Sequence, residues 1–283
     1  MLRTIASVIG NIRPLRTLHY IFLSVFGFSI AGFLAEGMSV KNFVSLSFFL
    51  LGIVFGWLFA VFLNDVFDQE SDKISNASRP LISGSLSLNS YKKLIFSFFV
   101  LAMVSGGLSG YNQLTFVFLF MLVYGFLYSA PPFRIKKLFL LPNILIAFAS
   151  VAAVMGGASI IFREATSYFF PRNILALIFS FYVLASMIKD LKDYEGDKAT
   201  STKTLFTLLG VKSGKIIFSI LLIILAFMIV LLLGVPQLLL PLLVINVFAI
   251  WGVFKENEKI IFGAEFVGLA IILYFLFTFS IGG

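Results

Sequence analysis

The sequence predicts an all-α, polytopic membrane protein with about nine spanning helices. Three observations carry this. Apolar residues make up 60% of the 283-residue chain, and only 12% of residues are charged, about half the share of a soluble domain. The apolar residues fall into repeated runs of roughly 18 or more, the length a helix needs to cross a bilayer. There are 36 phenylalanines, which an apolar solvent tolerates anywhere on a helix.

In chain order the runs cover about 17–35, 42–63, 93–110, 113–129, 139–161, 172–188, 213–233, 236–254 and 260–281. They are long and uniformly apolar, unlike the short alternating strands of a membrane barrel. Placing the N-terminus inside puts Arg3, Arg13, Arg16, Lys73, Arg79, Lys92, Lys93, Arg134, Lys136, Lys137 and every lysine from Lys189 to Lys259 on one side. Only Lys41, Arg163 and Arg172 fall on the other. By the positive-inside rule the rich side is cytoplasmic, and the end at Ile281-Gly282-Gly283 lies outside. The net charge of +8 is thus a topology signal and not a nucleic-acid footprint. The chain reads as one membrane domain over 1–283. Its N-terminus shows no cleavage site and reads as retained. Cysteine is absent, which excludes disulfides, thiolate metal sites and a cysteine nucleophile.

The acids divide as the bases do. One cluster, from Asn64 to Lys73, carries Asp65, Asp68 and Asp72. A second, from Lys189 to Lys198, carries Asp190, Asp193 and Asp197 at the same spacing. The recurrence suggests two pseudo-repeated halves, about 1–130 and 131–283. Offsets of i, i+3 and i+7 share one face of a continuous helix. Carboxylates so placed repel one another, and a helix C-terminus worsens the repulsion. A hard divalent cation resolves it. Mg²⁺ takes one or two carboxylates together with substrate phosphates, so two such clusters suit a metal-bound diphosphate. An EF-hand calcium loop is disfavoured because its glycine and glutamate positions do not match.

Between the clusters, Tyr128-Ser129-Ala130-Pro131-Pro132 ends the fourth run and leads to Arg134, Lys136 and Lys137. Fixed cations there would stabilise a departing diphosphate. Arg79, before Pro80, is a further phosphate candidate, with Lys198 and Lys203 beside the second cluster. Gly52 and Gly56 permit close helix packing. His19, the sole histidine, reads as interfacial. Glu265 lies within the last run, and intramembrane acids are often functional.

These residues resemble the UbiA superfamily of intramembrane prenyltransferases. The first cluster is similar to its N-D-x-x-D-x-x-x-D motif, followed by Arg79-Pro80 and Ser83-Gly84. The second is similar to its D-x-x-D-x-x-x-D motif, ending Glu195-Gly196-Asp197. The resemblance implies helices around a central cavity with a cytoplasmic cap of loops, Mg²⁺, an isoprenyl diphosphate donor, and a lipid-like or aromatic acceptor taken from the membrane. It implies that Asn64, Asp65, Asp68 and Asp72 hold one metal and Asp190, Asp193 and Asp197 another. It implies that Tyr128 and a downstream base touch the diphosphate. The Pro131-Pro132 insertion leaves Arg134 and Lys136 both eligible for that base, and Phe206 stands where many members have proline. Asp68, Asp193, Tyr128, Arg134 and Lys136 are thereby the catalytic candidates. The form of the second motif resembles enzymes that alkylate geranylgeranylglyceryl phosphate, while Tyr128–Pro132 resembles chlorophyll-synthase-like members. Aromatic acids such as 4-hydroxybenzoate, and chlorophyllides, are the alternative acceptors. A transporter or a silent scaffold is the alternative of another class.

Overall fold

The computed structural model describes residues 11–163, 166–275 and Thr278. Arg3 and the terminal Ile281-Gly282-Gly283 of the topology argument lie outside the described residues. The described residues contain no strand.

The first long helix, α1 (Pro14–Leu34), starts on a proline at N1, where the missing N–H costs nothing. The next, α2 (Val40–Phe67), is capped by Ser39, which accepts from the Asn42 N–H while the Asn42 side chain takes the Ser39 N–H. At 28 residues it extends about 42 Å, beyond the hydrocarbon core. A short α3 (Gln69–Ser75) follows directly. Gly110, with a φ of 153°, turns α4 (Leu88–Ser109) into α5 (Tyr111–Met121), which continues as a π-turn over Leu122–Leu127. The second half holds α6 (Leu141–Phe162) and α7 (Arg172–Ala185). Three short helices come next: α8 (Ile188–Lys192), α9 (Tyr194–Ala199) and α10 (Leu205–Leu209). The chain closes with α11 (Val211–Leu233), α12 (Leu239–Phe254) and α13 (Glu258–Phe275).

Among the described residues, seven helical segments are long and apolar enough to cross a membrane. The expected 113–129 span is a shorter apolar helix, Tyr111–Leu127. The described part of the expected 260–281 span is α13, whose 18 residues include Glu258, Lys259 and Glu265. The expected count of nine is therefore not reached by length and composition.

The most extensive packing joins α2 to α4 and α1 to α6. Gly52 faces Val117 and the α4 backbone, and Gly56 faces Met121 and Phe120, so these glycines do bring helices together. The phenylalanines sort into two environments. Phe49, Phe62 and Phe120 are fully buried, while Phe96, Phe148 and Phe227 face outward. Along α11, Ile216, Ile220, Ile223, Phe227 and Leu231 form an exposed apolar stripe, the pattern of a lipid-facing helix surface.

Candidate active site

Both acidic clusters sit where a helix breaks. α2 ends at Phe67, and Asp68 adopts φ −103°, ψ 11° before α3 resumes. α8 ends at Lys192, and Asp193 adopts φ −89°, ψ 7° before α9 resumes. The expected continuous helical face is therefore interrupted at the middle aspartate of each cluster. At Asp68 the cause is visible. The Gln69 side chain donates to the Val66 carbonyl at 3.0 Å, and Arg134 donates to the Phe67 carbonyl at 2.7 Å. Side chains thus take carbonyls that the next turn would have used. The break also amends the dipole argument, since Asp68 and Asp193 each close one helix and open the next, so the unfavourable C-terminus behind is countered by a favourable N-terminus ahead.

The break separates the roles of the first cluster. Asp65 turns into the protein, 1% exposed. Its Oδ1 accepts from Arg13 and Arg79, both at 2.9 Å, and its Oδ2 accepts from Asn11 at 2.7 Å and Tyr91 at 3.2 Å. Both oxygens are committed, and Asp65 does not line the cavity described below. Its geometry is that of an anchor for two arginines rather than of the expected metal ligand. Asp68 remains on the cavity wall, accepting from Asn64 at 2.6 Å and paired with Lys136. Asp72 pairs with Arg79. Burial raises the Asp72 carboxyl to about 6 despite that arginine.

The second cluster is less well neutralised. Asp190 meets Lys189 at 3.4 Å. Asp193 accepts from Asn76, which also donates to Asp72, both at 3.3 Å, so one amide joins the clusters. Among the described residues the Asp197 carboxylate has no hydrogen-bond or ion-pair partner. Burial, with Asp190 nearby, pushes it up to about 7. The short helices touch directly: the Gly196 N–H donates to Ser75 Oγ at 2.9 Å.

The two acidic breaks close the polar end of one cavity. Its wall includes Asn64, Asp68, Asp72, Arg79, Tyr128, Arg134, Lys136, Asp190, Asp193 and Asp197. Sequence reasoning gathered these residues from four separate segments. Tyr128 follows the π-turn, and its hydroxyl receives the Lys189 ammonium. Of the two eligible bases, Lys136 reaches Asp68, and burial lowers it to about 7. Arg134 caps α2 and keeps a buried Nε that is unpartnered among the described residues. Lys198 and Lys203 do not join them. Both are exposed and off the wall; Lys198 lies near the Tyr194 ring, and the Lys203 backbone bonds to the Lys137 carbonyl. Away from the acids the wall becomes apolar, with Ile146, Phe218, Leu225, Leu242 and Leu269.

Several wall residues were not singled out as site residues from sequence. Lys189 had a signal, since it opens the second cluster. Arg16 pairs with Glu258 at 3.5 Å but had read as a topology charge. The Tyr20 and Tyr124 hydroxyls bond each other. His19, expected at the interface, is instead buried on the wall beside Glu265.

The residues present fit Mg²⁺. Among the described residues no three acids converge as a ready-made metal cage, but Mg²⁺ uses only one or two carboxylates with substrate phosphates. The donors that remain are hard oxygens. Asn64 spends its amide N–H on Asp68, which leaves its Oδ1 buried and without a hydrogen-bond partner. A buried, unpaired carbonyl oxygen is costly and is a natural cation ligand. Asp197 offers a second unpaired group.

Comparison with known proteins places the fold and the family. Digeranylgeranylglyceryl phosphate synthase of Saccharolobus solfataricus is 28% identical over 202 residues, covering 70% of this chain and 68% of that protein. The 2-acylphloroglucinol 4-prenyltransferase of Humulus lupulus is 29% identical over 184 residues, covering 58% of this chain but 41% of its own length. A UbiA homologue from Archaeoglobus fulgidus, solved with GPP and Mg²⁺ bound, superposes with a TM-score of 0.69 at 19% identity, over 97% of this chain and 100% of that one. The UbiA prenyltransferase family model matches residues 25–259, and with that match this multi-pass membrane protein belongs to the UbiA prenyltransferase family.

Proposed function

We propose that this prenyltransferase uses Mg²⁺ to transfer a prenyl group from an isoprenyl diphosphate to geranylgeranylglyceryl phosphate, at the cytoplasmic face of the membrane. One observation carries the reading. Two helix breaks of matched geometry present Asp68 and Asp193 to the polar end of a cavity whose far wall is apolar. A diphosphate fits the first environment and an isoprenoid chain the second. The name of the Saccharolobus relative supports the acceptor, and the basic residues around the breaks support the cytoplasmic placement.

Asn64, Asp68 and Asp72 would hold one metal ion, and Asp190, Asp193 and Asp197 the other. When bound, Mg²⁺ would neutralise the diphosphate and stabilise the leaving charge by several kcal/mol. Asp65 fixes Arg79 and Arg13 so that their charge is positioned before substrate arrives. Arg134, Lys136 and the Lys189–Tyr128 pair are placed to stabilise the departing diphosphate. Breaking the allylic C–O bond leaves positive charge on carbon. The rings of Tyr20, Trp57 and Tyr124, which pack together on the wall, offer π-faces to that charge. The apolar wall keeps water from intercepting it.

The test is product formation. Purified protein receives Mg²⁺ and labelled geranylgeranyl diphosphate with either geranylgeranylglyceryl phosphate or 4-hydroxybenzoate. A labelled ether lipid, lost on adding EDTA, supports the reading. Product from 4-hydroxybenzoate alone would replace the acceptor with an aromatic one, the direction suggested by the Humulus relative's name.

A further inference from the structure

His19 and Glu265 lie 246 residues apart in the chain and meet on the cavity wall. His19 Nδ1 is 2.5 Å from Glu265 Oε1, and the Tyr182 hydroxyl donates to the same oxygen at 2.9 Å. All three side chains are buried. The imidazole is held edge-on between the rings of Tyr20 and Tyr182, with centroids at 4.6 and 4.5 Å. On α1 His19 is three residues past Arg16 at the rim, about 4.5 Å further along the helix axis. It therefore stands beyond the acidic rim, towards the apolar chamber. With Glu265 as a carboxylate, which only accepts, the shared proton is assigned to Nδ1. Nε2 is then the lone pair, and it has no partner among the described residues. An acid and a histidine within a membrane-spanning bundle are expensive unless used, and neither has a task in the diphosphate chemistry above.

We infer that His19 is the general base that takes the proton from the acceptor's hydroxyl, with Glu265 and Tyr182 as its positioning residues; this rests on the proposed hydroxyl acceptor. The acceptor O–H proton passes to Nε2. The oxygen's electron pair forms the new ether bond to the allylic carbon. That carbon's bond to the diphosphate oxygen breaks, and its electron pair leaves with the diphosphate. The imidazolium is balanced by Glu265 and releases its proton to water as the products leave, before the next acceptor binds. No oxidant or reductant is required.

The experiment uses the full chain in detergent with Mg²⁺, labelled geranylgeranyl diphosphate and geranylgeranylglyceryl phosphate. Three quantities are read: donor affinity, kcat and KM for the acceptor. In His19→Ala and His19→Gln, kcat should fall about 10²-fold or more while donor affinity stays within about twofold. Added imidazole should restore part of the rate in His19→Ala, where the side-chain space is open, and not in His19→Gln. Glu265→Gln should lower kcat about tenfold without moving KM, as a misoriented base does. A raised KM at unchanged kcat, or a fully active His19→Gln, would overturn the inference by reducing His19 to a contact or a packing group. If His19→Ala does not fold, His19→Gln decides alone. Wild-type protein that binds donor but alkylates no hydroxyl acceptor would overturn the acceptor reading and this inference together. Wild-type transfer with unimpaired His19 variants would overturn this inference only.

Discussion

The two acidic clusters share a spacing and a backbone but not an electrostatic environment. Asp68 and Asp193 break their helices with nearly the same dihedral angles. Around the first break, Arg13 and Arg79 saturate Asp65, Arg79 also pairs with Asp72, and Lys136 pairs with Asp68. Around the second, Lys189 is the only cation paired with an acid of the cluster among the described residues, and Asp197 makes no ion pair, although Lys189 and Lys136 as well as Asp190 and Asp193 act on it at longer range. Spacing therefore encodes the shape of the site, while its charge balance is set by distant residues. The first half of the site is neutralised by paired cations, Lys136 among them, and the second retains more unpaired charge for a cation to neutralise.

The largest effects should come from the residues the halves share. Asp68→Ala and Asp193→Ala should each lower transfer by about 10³-fold, the scale of losing a main electrostatic contact in the transition state, while both stay folded; Asp68→Ala, which strips Lys136 of its partner, should unfold earlier than Asp193→Ala. Wild-type turnover in either variant would break the equivalence of the two breaks. The next effect should separate the halves. Arg79→Met leaves Asp65 and Asp72 buried with a partner removed, which costs about 3 kcal/mol or more. Asp197→Asn removes an uncompensated carboxylate, so it should unfold no earlier than wild type while losing Mg²⁺-dependent activity. A destabilised Asp197→Asn would show that the second half is neutralised after all.

Titration sharpens the same contrast. Asp197 is raised to about 7 and Asp72 to about 6 by burial, against an ordinary aspartate near 4. Between those values the unfolded chain has released the proton that the folded chain keeps. The metal-free protein should therefore lose stability at these sites as pH rises from about 4 to about 7. Asp197→Asn should flatten the upper part of that slope more than Asp72→Asn does. The check is unfolding temperature against pH in EDTA.

A smaller effect tests how the halves are joined. A Cβ on Gly196 would sit 2.4 Å from Ser75 Oγ, 2.7 Å from Ser71 Oγ and 3.1 Å from the Ser71 carbonyl oxygen. The hydroxyls can rotate away but the carbonyl cannot. Gly196→Ala should cost about 1–2 kcal/mol and weaken Mg²⁺ affinity by separating α3 from α9.

What the sequence made legible follows from the physics. Spanning helices are a matter of length and composition, so the apolar runs could be read directly, apart from the shorter Tyr111–Leu127 segment and the charge-bearing α13. The acid motifs are local and were equally plain. The break at Asp68 was not, because no glycine or proline marks it; the side chains that take the α2 carbonyls include Arg134, from far along the chain. Asp65 and Asp68 both read as metal ligands, and only the placement of Asn11, Arg13, Arg79 and Tyr91 around Asp65 separates them. His19 and Glu265 each looked isolated, since nothing local records a contact across almost the whole chain.

The smallest predicted effect is the one that most directly separates motif from geometry. Lys198 follows the second motif as Lys73 follows the first, and Lys203 lies a few residues on, so proximity in sequence made both diphosphate candidates. Both side chains are exposed and neither reaches the cavity wall. Lys136 lies 57 residues before Asp193 in the sequence and yet is half-buried against Asp68 on that wall. Lys198→Ala and Lys203→Ala should each change stability by no more than about 0.5 kcal/mol, and turnover should stay within about twofold. Lys136→Ala should lower turnover by at least tenfold, since it removes a fixed cation facing the leaving group. Steady-state kinetics of the three variants decide the matter: a loss in Lys198→Ala equal to that in Lys136→Ala would mean that α9 turns its outer face inward when the diphosphate binds.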